Sequence, residues 1–162
     1  MSDTVKRVVL VSASPKVDQT EAVSQFLAAR GEDLLAGEGL EVVTIPVRRA
    51  LLHHETKSAF ETMQSADAIV MIFPLYFFCL PAMLTRFLQD FASCYPSSEH
   101  ASNVYAIINC GFPEPEINEE AMRVIECFSL QTGRNFLGGV MVGCGVMLLG
   151  AAQAPFMRPV FE

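Results

Sequence analysis

The segment that follows the first apolar run carries a set of groups that is suited to binding phosphate. It consists of Ser12-Ala13-Ser14-Pro15-Lys16-Val17-Asp18-Gln19-Thr20, between a predicted strand and a predicted helix. Its hydroxyls, the Lys16 ammonium and the unpaired N–H groups of a helix start together favour a phosphate dianion. The glycines of a Walker loop and of a dinucleotide fingerprint are absent, so a mononucleotide phosphate fits better. An ordinary capped turn between strand and helix is the alternative.

A second segment places three consecutive aromatic residues between two prolines. It consists of Pro74-Leu75-Tyr76-Phe77-Phe78-Cys79-Leu80-Pro81. Three aromatic side chains in an irregular segment do not all point into one core, so we expect some of them to line a pocket for a flat ligand or to form a subunit contact. A hydrophobic lid without a ligand is the alternative.

A third segment, Asn109-Cys110-Gly111-Phe112-Pro113-Glu114-Pro115-Glu116, contains a glycine and a side-chain amide. Gly111 permits close approach of the backbone to a ligand, and amide groups bond the polar edge of a planar ring. Cys110 is the one thiol in these segments, and we interpret it as a buried structural residue because free cysteines are commonly buried.

The remaining nucleophiles and metal-ligating residues give no catalytic or metal site. The three histidines, His53, His54 and His100, fall in polar connections and are predicted to be surface residues. The five cysteines are odd in number and irregularly spaced, with neither a Cys-x-x-Cys pair nor a nearby histidine. We therefore predict no metal, no disulfide framework and a reducing, cytoplasmic location.

Apolar runs that alternate with helical periodicity predict the elements that position these segments. Five strands are expected at 5–11, 40–47, 66–73, 104–109 and 136–142. Helices are expected from Thr20 as a cap to Gly37 or Gly39, over 56–65, from Pro81 as first helical residue through Phe91, and from Asn118 as a cap to Gly133. Residues 48–55 are expected to form a polar connection.

This alternation predicts one α/β domain over 1–162, a doubly wound parallel sheet of order 2-1-3-4-5. Ligands of such sheets bind beyond the carboxyl ends of the strands at the switch point, here beside strands one and three. All three segments fall at that edge. Residues 143–162 are too short and proline-bearing for a closing helix of ordinary length, so that helix is expected to be absent or incomplete. Either the chain is shortened, or a neighbouring subunit covers the last strand.

Composition excludes several classes of function. The net charge of -7 argues against a nucleic-acid partner, and 51% hydrophobic residues argue against disorder. The long apolar stretches 68–85 and 135–157 are interrupted by Pro and Gly, so no membrane span is expected. The apolar content, with eight Met and no Trp, favours a homodimer or higher homo-oligomer.

Together the three segments resemble the flavodoxin-like NAD(P)H-dependent FMN reductase and quinone reductase superfamily, including the multimeric flavodoxin-related oxidoreductases. The first loop of that superfamily carries Gly-Ser-Pro-Arg and then Ser/Gly-Asn-Thr, where this chain has Ala13-Ser14-Pro15-Lys16 and Asp18-Gln19-Thr20. Its second loop opens with Pro-Leu/Ile-Tyr and runs to a proline that begins a helix, as Pro74-Leu75-Tyr76 and Pro81 do. The segment from Asn109 and the glycine-rich fifth strand are also similar.

The resemblance implies an FMN site and assigns roles to its residues. Ser14, Lys16, Gln19 and Thr20 would hold the FMN phosphate, and Pro74, Leu75, Tyr76 and Phe77 would pack along the ring and the ribityl chain. Asn109 and Gly111 would lie near the far edge of the ring. Asp18 and Gln19 depart from the pattern, since a carboxylate beside a phosphate is repelled unless it faces solvent.

The resemblance also implies an FMN-dependent oxidoreductase with NAD(P)H as co-substrate and a quinone, a flavin or another small molecule as acceptor. Because flavin chemistry belongs to the cofactor, no catalytic side chain is expected. A flavodoxin-type electron carrier and a flavodoxin-like interaction module without FMN are the two alternatives.

Overall fold

A five-stranded parallel sheet forms the centre of the protein. The computed structural model describes residues 6–16, 22–97 and 102–154. The strands pair in the order β2-β1-β3-β4-β5, and every pairing is parallel. The predicted doubly wound sheet and its strand order are therefore confirmed. The strands are β1 (Arg7–Ser12), β2 (Glu41–Pro46), β3 (Ala68–Pro74), β4 (Asn103–Asn109) and β5 (Asn135–Val142).

Helices connect the strands and cover both faces of the sheet. They are α1 (Val23–Gly37), α2 (Val47–Leu52), α3 (Thr56–Gln64), α4 (Ala82–Cys94), α5 (Glu119–Gln131) and α6 (Gly145–Gln153), with a 3-10 turn at Pro115–Asn118. Gly133, at φ 66°, follows the end of α5 as predicted. None of the helices in the described ranges is both long and apolar enough to cross a membrane.

Several local expectations are wrong. The polar connection expected at 48–55 begins as helix α2, because Val47 and Ala50 are buried in the core. Pro81 is the cap of α4 and not its first residue. Helix α1 has Ala22 at its cap position, and the predicted cap Thr20 lies outside the described residues. Asn118 holds the predicted cap position of α5 but makes no capping hydrogen bond there.

The two faces of the sheet bury alternating side chains of the central strands. Val9 and Val11 of β1 pack with Ile69, Met71 and Phe73 of β3 in the larger cluster, which includes residues of α2 to α5. On the other face, Val8, Leu10, Ala68 and Ile72 pack with Ala28 of α1. Strands buried on both faces are apolar at nearly every position, which explains the continuous apolar runs in the sequence.

An aromatic cluster joins the helices on the larger face. The ring of Phe60 meets those of Phe87 and Phe91 edge-on, with centroids 5.0 and 5.4 Å apart, and Phe128 lies 6.0 Å from Phe91. The guanidinium of Arg134 lies 4.7 Å from the Phe91 ring centre and donates to a carbonyl and to a side-chain amide of α3. Burial lowers the pKa of Arg134 from its ordinary value.

The last strand and the segment after it depend on glycines. The register between β4 and β5 shifts between Val104 and Ala106, and Gly138 at φ 98° lies in the irregularity. Residues from Gly145 form the nine-residue helix α6, where the sequence predicted a loop-like segment. This helix is short for a closing helix, and β5 leaves Leu137 and Val140 exposed at the sheet edge.

We predict that Gly139→Ala destabilises the fold through a contact between strands. A Cβ at this position would lie 2.1 Å from the Ala106 carbonyl oxygen. Relieving that overlap requires a backbone shift between β4 and β5, so the free energy of unfolding should fall by about 1–3 kcal/mol. Urea unfolding followed by circular dichroism measures the change.

Gly37→Ala is the matched control, because nothing lies within 4 Å of its added Cβ. It should leave the unfolding free energy unchanged or slightly raised, since alanine restricts the unfolded chain. Equal stability of the two variants would contradict the contact described here.

Candidate functional site

The loops after β1, β3 and β4 are held together at one edge of the sheet by backbone hydrogen bonds. The N–H of Ala13 donates to the carbonyl of Ile72 (2.9 Å), and the N–H of Leu75 donates to the carbonyl of Asn109 (2.7 Å). These bonds continue the parallel ladders past the strand ends. Each loop therefore starts at a fixed position relative to the next.

A cleft of about 170 Å³ lies between the three loops and the start of α1. Most of the predicted site residues line it, and two lie outside the described residues, namely Gln19 and Thr20. The structure brings together Ser14, Lys16, Pro74, Leu75, Tyr76, Asn109 and Gly111. Cleft residues that were not predicted include Ser24 and Val146.

A buried serine stabilises the tight turn in the loop after β1. Ser14 is buried, and its Oγ accepts a hydrogen bond from the N–H of Lys16 (3.2 Å), which tightens the turn. Lys16 itself is exposed and lines the cleft, so its ammonium is available to an anion. Helix α1 begins beside this turn without a side-chain cap. Its first N–H groups and Lys16 give this side of the cleft positive potential.

Ser24 supplies a test of whether an anionic group fits the cleft. Its side chain is 1% exposed, and its Oγ has no hydrogen-bond partner within the described part of the chain. A buried hydroxyl without a partner costs free energy. An anionic oxygen in the cleft would give this hydroxyl an acceptor, so the donors here suit a phosphate. Sequence reasoning missed Ser24 because a serine in a first helical turn carries no distinguishing signal.

The second loop contains a two-residue hairpin with both central residues left-handed. Tyr76 and Cys79 exchange backbone hydrogen bonds of 2.9 Å in each direction. Phe77 and Phe78 between them have φ of 46° and 61°. This is the geometry of a type I′ turn, which ordinarily uses Asn and Gly, and each non-glycine residue there costs about 1–2 kcal/mol.

The hairpin separates Phe77 from the other second-loop residues assigned to the cofactor, and the role given to Phe77 stays a prediction. Its side chain is 98% exposed and is absent from the cleft lining, whereas Tyr76 does line the cleft. The left-handed backbone turns the side chain of Phe77 to solvent, and this direction could not be predicted from the residue types. Phe78 lies near Phe112 of the third loop, with ring centroids 6.5 Å apart and planes inclined by 20°.

The side chain of Asn109 holds the start of the third loop against the end of β3. The Nδ2 of this buried residue donates to the carbonyl of Phe73 (3.2 Å), which ties β4 to the end of β3. A Cβ at Gly145 would lie 3.1 Å from Asn109, so α6 starts close against it. Gly111 is exposed and has open space around it, as close approach of a ligand requires.

Cys110 is buried, and the Nδ2 of Asn118 lies 3.4 Å from its Sγ. Its burial agrees with the prediction, and Cys110 also belongs to the lining of the cleft. His53 and His54 are exposed as predicted, and His100 lies outside the described residues. Within 6–16, 22–97 and 102–154, no three His, Cys, Asp or Glu side chains gather as metal ligands.

A turn whose donors suit a phosphate, an aromatic second loop and a glycine-bearing third loop lie together at the switch point of a 2-1-3-4-5 sheet, which is the arrangement of a flavodoxin-like flavoprotein. The sequence model of a family described as NADPH-dependent FMN reductase matches residues 6–114. The chain belongs to that family, and it is an oxidoreductase with FMN as cofactor and NAD(P)H as co-substrate. No curated protein matches its sequence.

Solved structures share the fold at low sequence identity. An NAD(P)H:quinone oxidoreductase from Methanothermobacter marburgensis is similar with TM-score 0.70 and 15% identity, over 98% of this chain and 92% of that chain. The apo form of an NADH:FMN oxidoreductase gives 0.66 and 16%, over 98% and 84%. General stress protein 14 from Treponema denticola, in complex with FMN, gives 0.65 and 13%, over 85% and 86%.

We predict that Ser24→Ala weakens FMN binding without weakening the fold. Loss of one hydrogen bond to the phosphate should raise the FMN dissociation constant about 5- to 10-fold. The unfolding free energy of the FMN-free protein should stay unchanged or rise, because the variant removes a buried hydroxyl that has no partner among the described residues. Fluorescence titration of FMN and urea unfolding measure the two quantities.

Ser129→Ala is the matched control for Ser24→Ala. Ser129 is also buried, but its Oγ donates to the carbonyl of Ile125 (2.7 Å), far from the cleft lining. Its loss should leave the FMN dissociation constant unchanged. An unchanged FMN affinity in Ser24→Ala would remove this residue from the site.

Proposed function

We propose that this protein transfers electrons from NAD(P)H through FMN, bound in the cleft between the three loops, to a planar acceptor such as a quinone or a flavin. The observation that carries the proposal is the convergence of Ser14, Lys16, Tyr76 and Gly111 on one cleft at the switch point. When bound, FMN supplies the hydride chemistry.

The residues of the chain bind and orient the cofactor. In this proposal Ser14, Lys16 and Ser24 hold the phosphate, together with Gln19 and Thr20. Pro74, Leu75 and Tyr76 pack along the ring and the ribityl chain, and the backbone at Gly111 meets the polar edge of the ring. Asn109 positions the second and third loops through its hydrogen bond to Phe73. No side chain is assigned as acid or base.

The exposed aromatic residues beside the cleft support a planar acceptor. Phe78 and Phe112 are 61% and 52% exposed, and their rings lie nearly parallel. Each is a close neighbour in sequence of a cleft residue, Tyr76 in one loop and Gly111 in the other. Aromatic faces at the mouth of a cleft favour flat, conjugated molecules over small polar ones.

Membership of an FMN reductase family favours the reductase over the two alternatives. A carrier presents a strongly acidic rim to its partners, and the hairpin here presents Phe77 and Phe78. The buried Ser24 hydroxyl, which lacks a partner in the part of the chain that the structure describes, argues against a module that has lost FMN.

The proposal includes a cytoplasmic homo-oligomer. All five cysteines are free, which suits a reducing compartment. The nearly fully exposed Phe77 and the exposed Leu137 and Val140 of the edge strand form apolar surface that a second copy would cover.

The test of the function is the absorbance of the protein after incubation with FMN and removal of free flavin. We expect retained bands near about 375 and 450 nm that bleach on anaerobic addition of NADPH, because reduction of the cofactor removes them. Retained bands that resist both NADPH and NADH would support the carrier. Absence of retained flavin would contradict the proposed site.

The acceptor prediction uses Phe78→Ala and Phe112→Ala. With FMN-loaded enzyme, each should raise KM for menadione about 3- to 10-fold, the loss expected for one aromatic contact. KM for ferricyanide, which is not planar, should change less than about twofold on the same argument.

Leu130→Ala is the control, since Leu130 is 68% exposed on α5 away from the cleft. Sedimentation velocity on all three variants separates a lost ring contact from a lost subunit contact. Equal effects on menadione and ferricyanide would overturn the role given to the two rings.

A further inference from the structure

A second cleft lies on the other side of the first loop, between α1 and the ends of β2 and α2. Its volume is about 370 Å³, within the range of ligand sites. It is separate from the loops after β3 and β4. Its polar lining includes Ser14, Lys16, Glu32, Thr44, Arg48 and Arg49.

The charges of this second cleft favour an anion. Arg48 is half-buried and has no hydrogen bond or ion pair in the part of the chain that the structure describes. Arg49 is exposed and pairs with Glu55 at 3.5 Å, and the carboxylate of Glu32 accepts a hydrogen bond from Thr44. In a chain of net charge -7, one cleft thus holds two cations, Lys16 and Arg48, that have no carboxylate partner among the described residues.

An unpaired, half-buried guanidinium has lost part of its hydration without gaining a counterion. A planar guanidinium binds phosphate through two parallel hydrogen bonds, which makes arginine well suited to a phosphate monoester. A phosphorylated ligand would therefore supply the negative charge and the hydrogen-bond acceptors that Arg48 lacks among the described residues.

The second cleft adjoins the proposed FMN cleft. Ser14 and Lys16 line both of them, so a ligand in the second cleft would lie next to the residues assigned to the FMN phosphate. FMN carries a single phosphate, which the first cleft would take. The exposed apolar side chains of Ala29 and Leu52 in the second cleft offer surface for a flat base. The second cleft thus suits a second nucleotide.

We infer that the second cleft binds the adenosine portion of NADPH, and that Arg48 selects NADPH over NADH by binding the 2′-phosphate. This inference rests on the proposed function, in which a nicotinamide nucleotide reacts next to FMN. NADPH and NADH differ only at the 2′ position of the adenosine ribose. An arginine near that position is the general means of accommodating the additional phosphate.

The kinetic test compares Arg48→Ala with the wild-type enzyme, both loaded with FMN. We expect KM for NADPH to rise about 10-fold or more, the effect of losing a charge-assisted contact, while KM for NADH changes less than about twofold. FMN content should be unchanged. Arg86→Ala is the matched control, because Arg86 is exposed on α4 and pairs with Asp90. A parallel rise for NADH, or no change for NADPH, would overturn the inference.

A binding test separates this inference from the proposed function. Isothermal titration of the FMN-loaded protein should show that 2′,5′-ADP binds more tightly than 5′-AMP, and that Arg48→Ala abolishes the difference. This result would support the second cleft even if NADPH failed to reduce the flavin, which would instead contradict the proposed function. Equal binding of the two probes, or displacement of bound FMN by 2′,5′-ADP, would overturn the inference.

Discussion

The whole site depends on the parallel alignment of β1, β3 and β4 at their carboxyl ends. Two backbone hydrogen bonds, from Ala13 to Ile72 and from Leu75 to Asn109, carry this alignment beyond the strands. A third, from Cys110 to Val142, does the same for the last strand. Loops that leave a sheet in register have their first residues at fixed separations. The backbone of the sheet therefore determines where the cleft lies, and the side chains determine what it can bind.

Unfavourable backbone conformations concentrate beside that cleft. Of the four non-glycine residues with positive φ in the described part of the chain, Phe77, Phe78 and Cys144 lie in the loops after β3 and β5, and only His54 lies elsewhere, after α2. The buried hydroxyl of Ser24 has no partner within 6–16, 22–97 and 102–154, and together with these conformations it reduces the stability of the free protein around one edge of the sheet. The two clusters of buried side chains on the faces of the sheet maintain these conformations. Conformations that persist against their local cost are a feature of sites that present side chains to a ligand.

The sheet order and the loops of the site could be predicted because their signals are local. Continuous apolar runs mark strands buried on both faces, and the connections between them determine which loops share an edge. Helix α2 was missed because two buried residues, Val47 and Ala50, in six are too few for a periodic pattern.

The direction of Phe77 depends on a turn whose residues are atypical for its type, and the exposure of Arg48 to a second cleft depends on tertiary packing. Neither the direction of Phe77 nor the exposure of Arg48 can be predicted from the neighbouring residues in the sequence. The helix α6 was missed for a related reason, since glycines in its sequence favour a loop and contacts with the rest of the fold decide otherwise.

The most direct test of the account is a titration of the protein with FMN followed by ¹H–¹⁵N correlation spectra. If the three loops form one cofactor site, the amides of Lys16, Tyr76 and Gly111 should shift together and saturate at one equivalent of FMN. The amide of Arg123, on α5, should stay in place. Shifts confined to one loop, or centred on α5, would contradict the claim that the carboxyl edge of the sheet binds the cofactor.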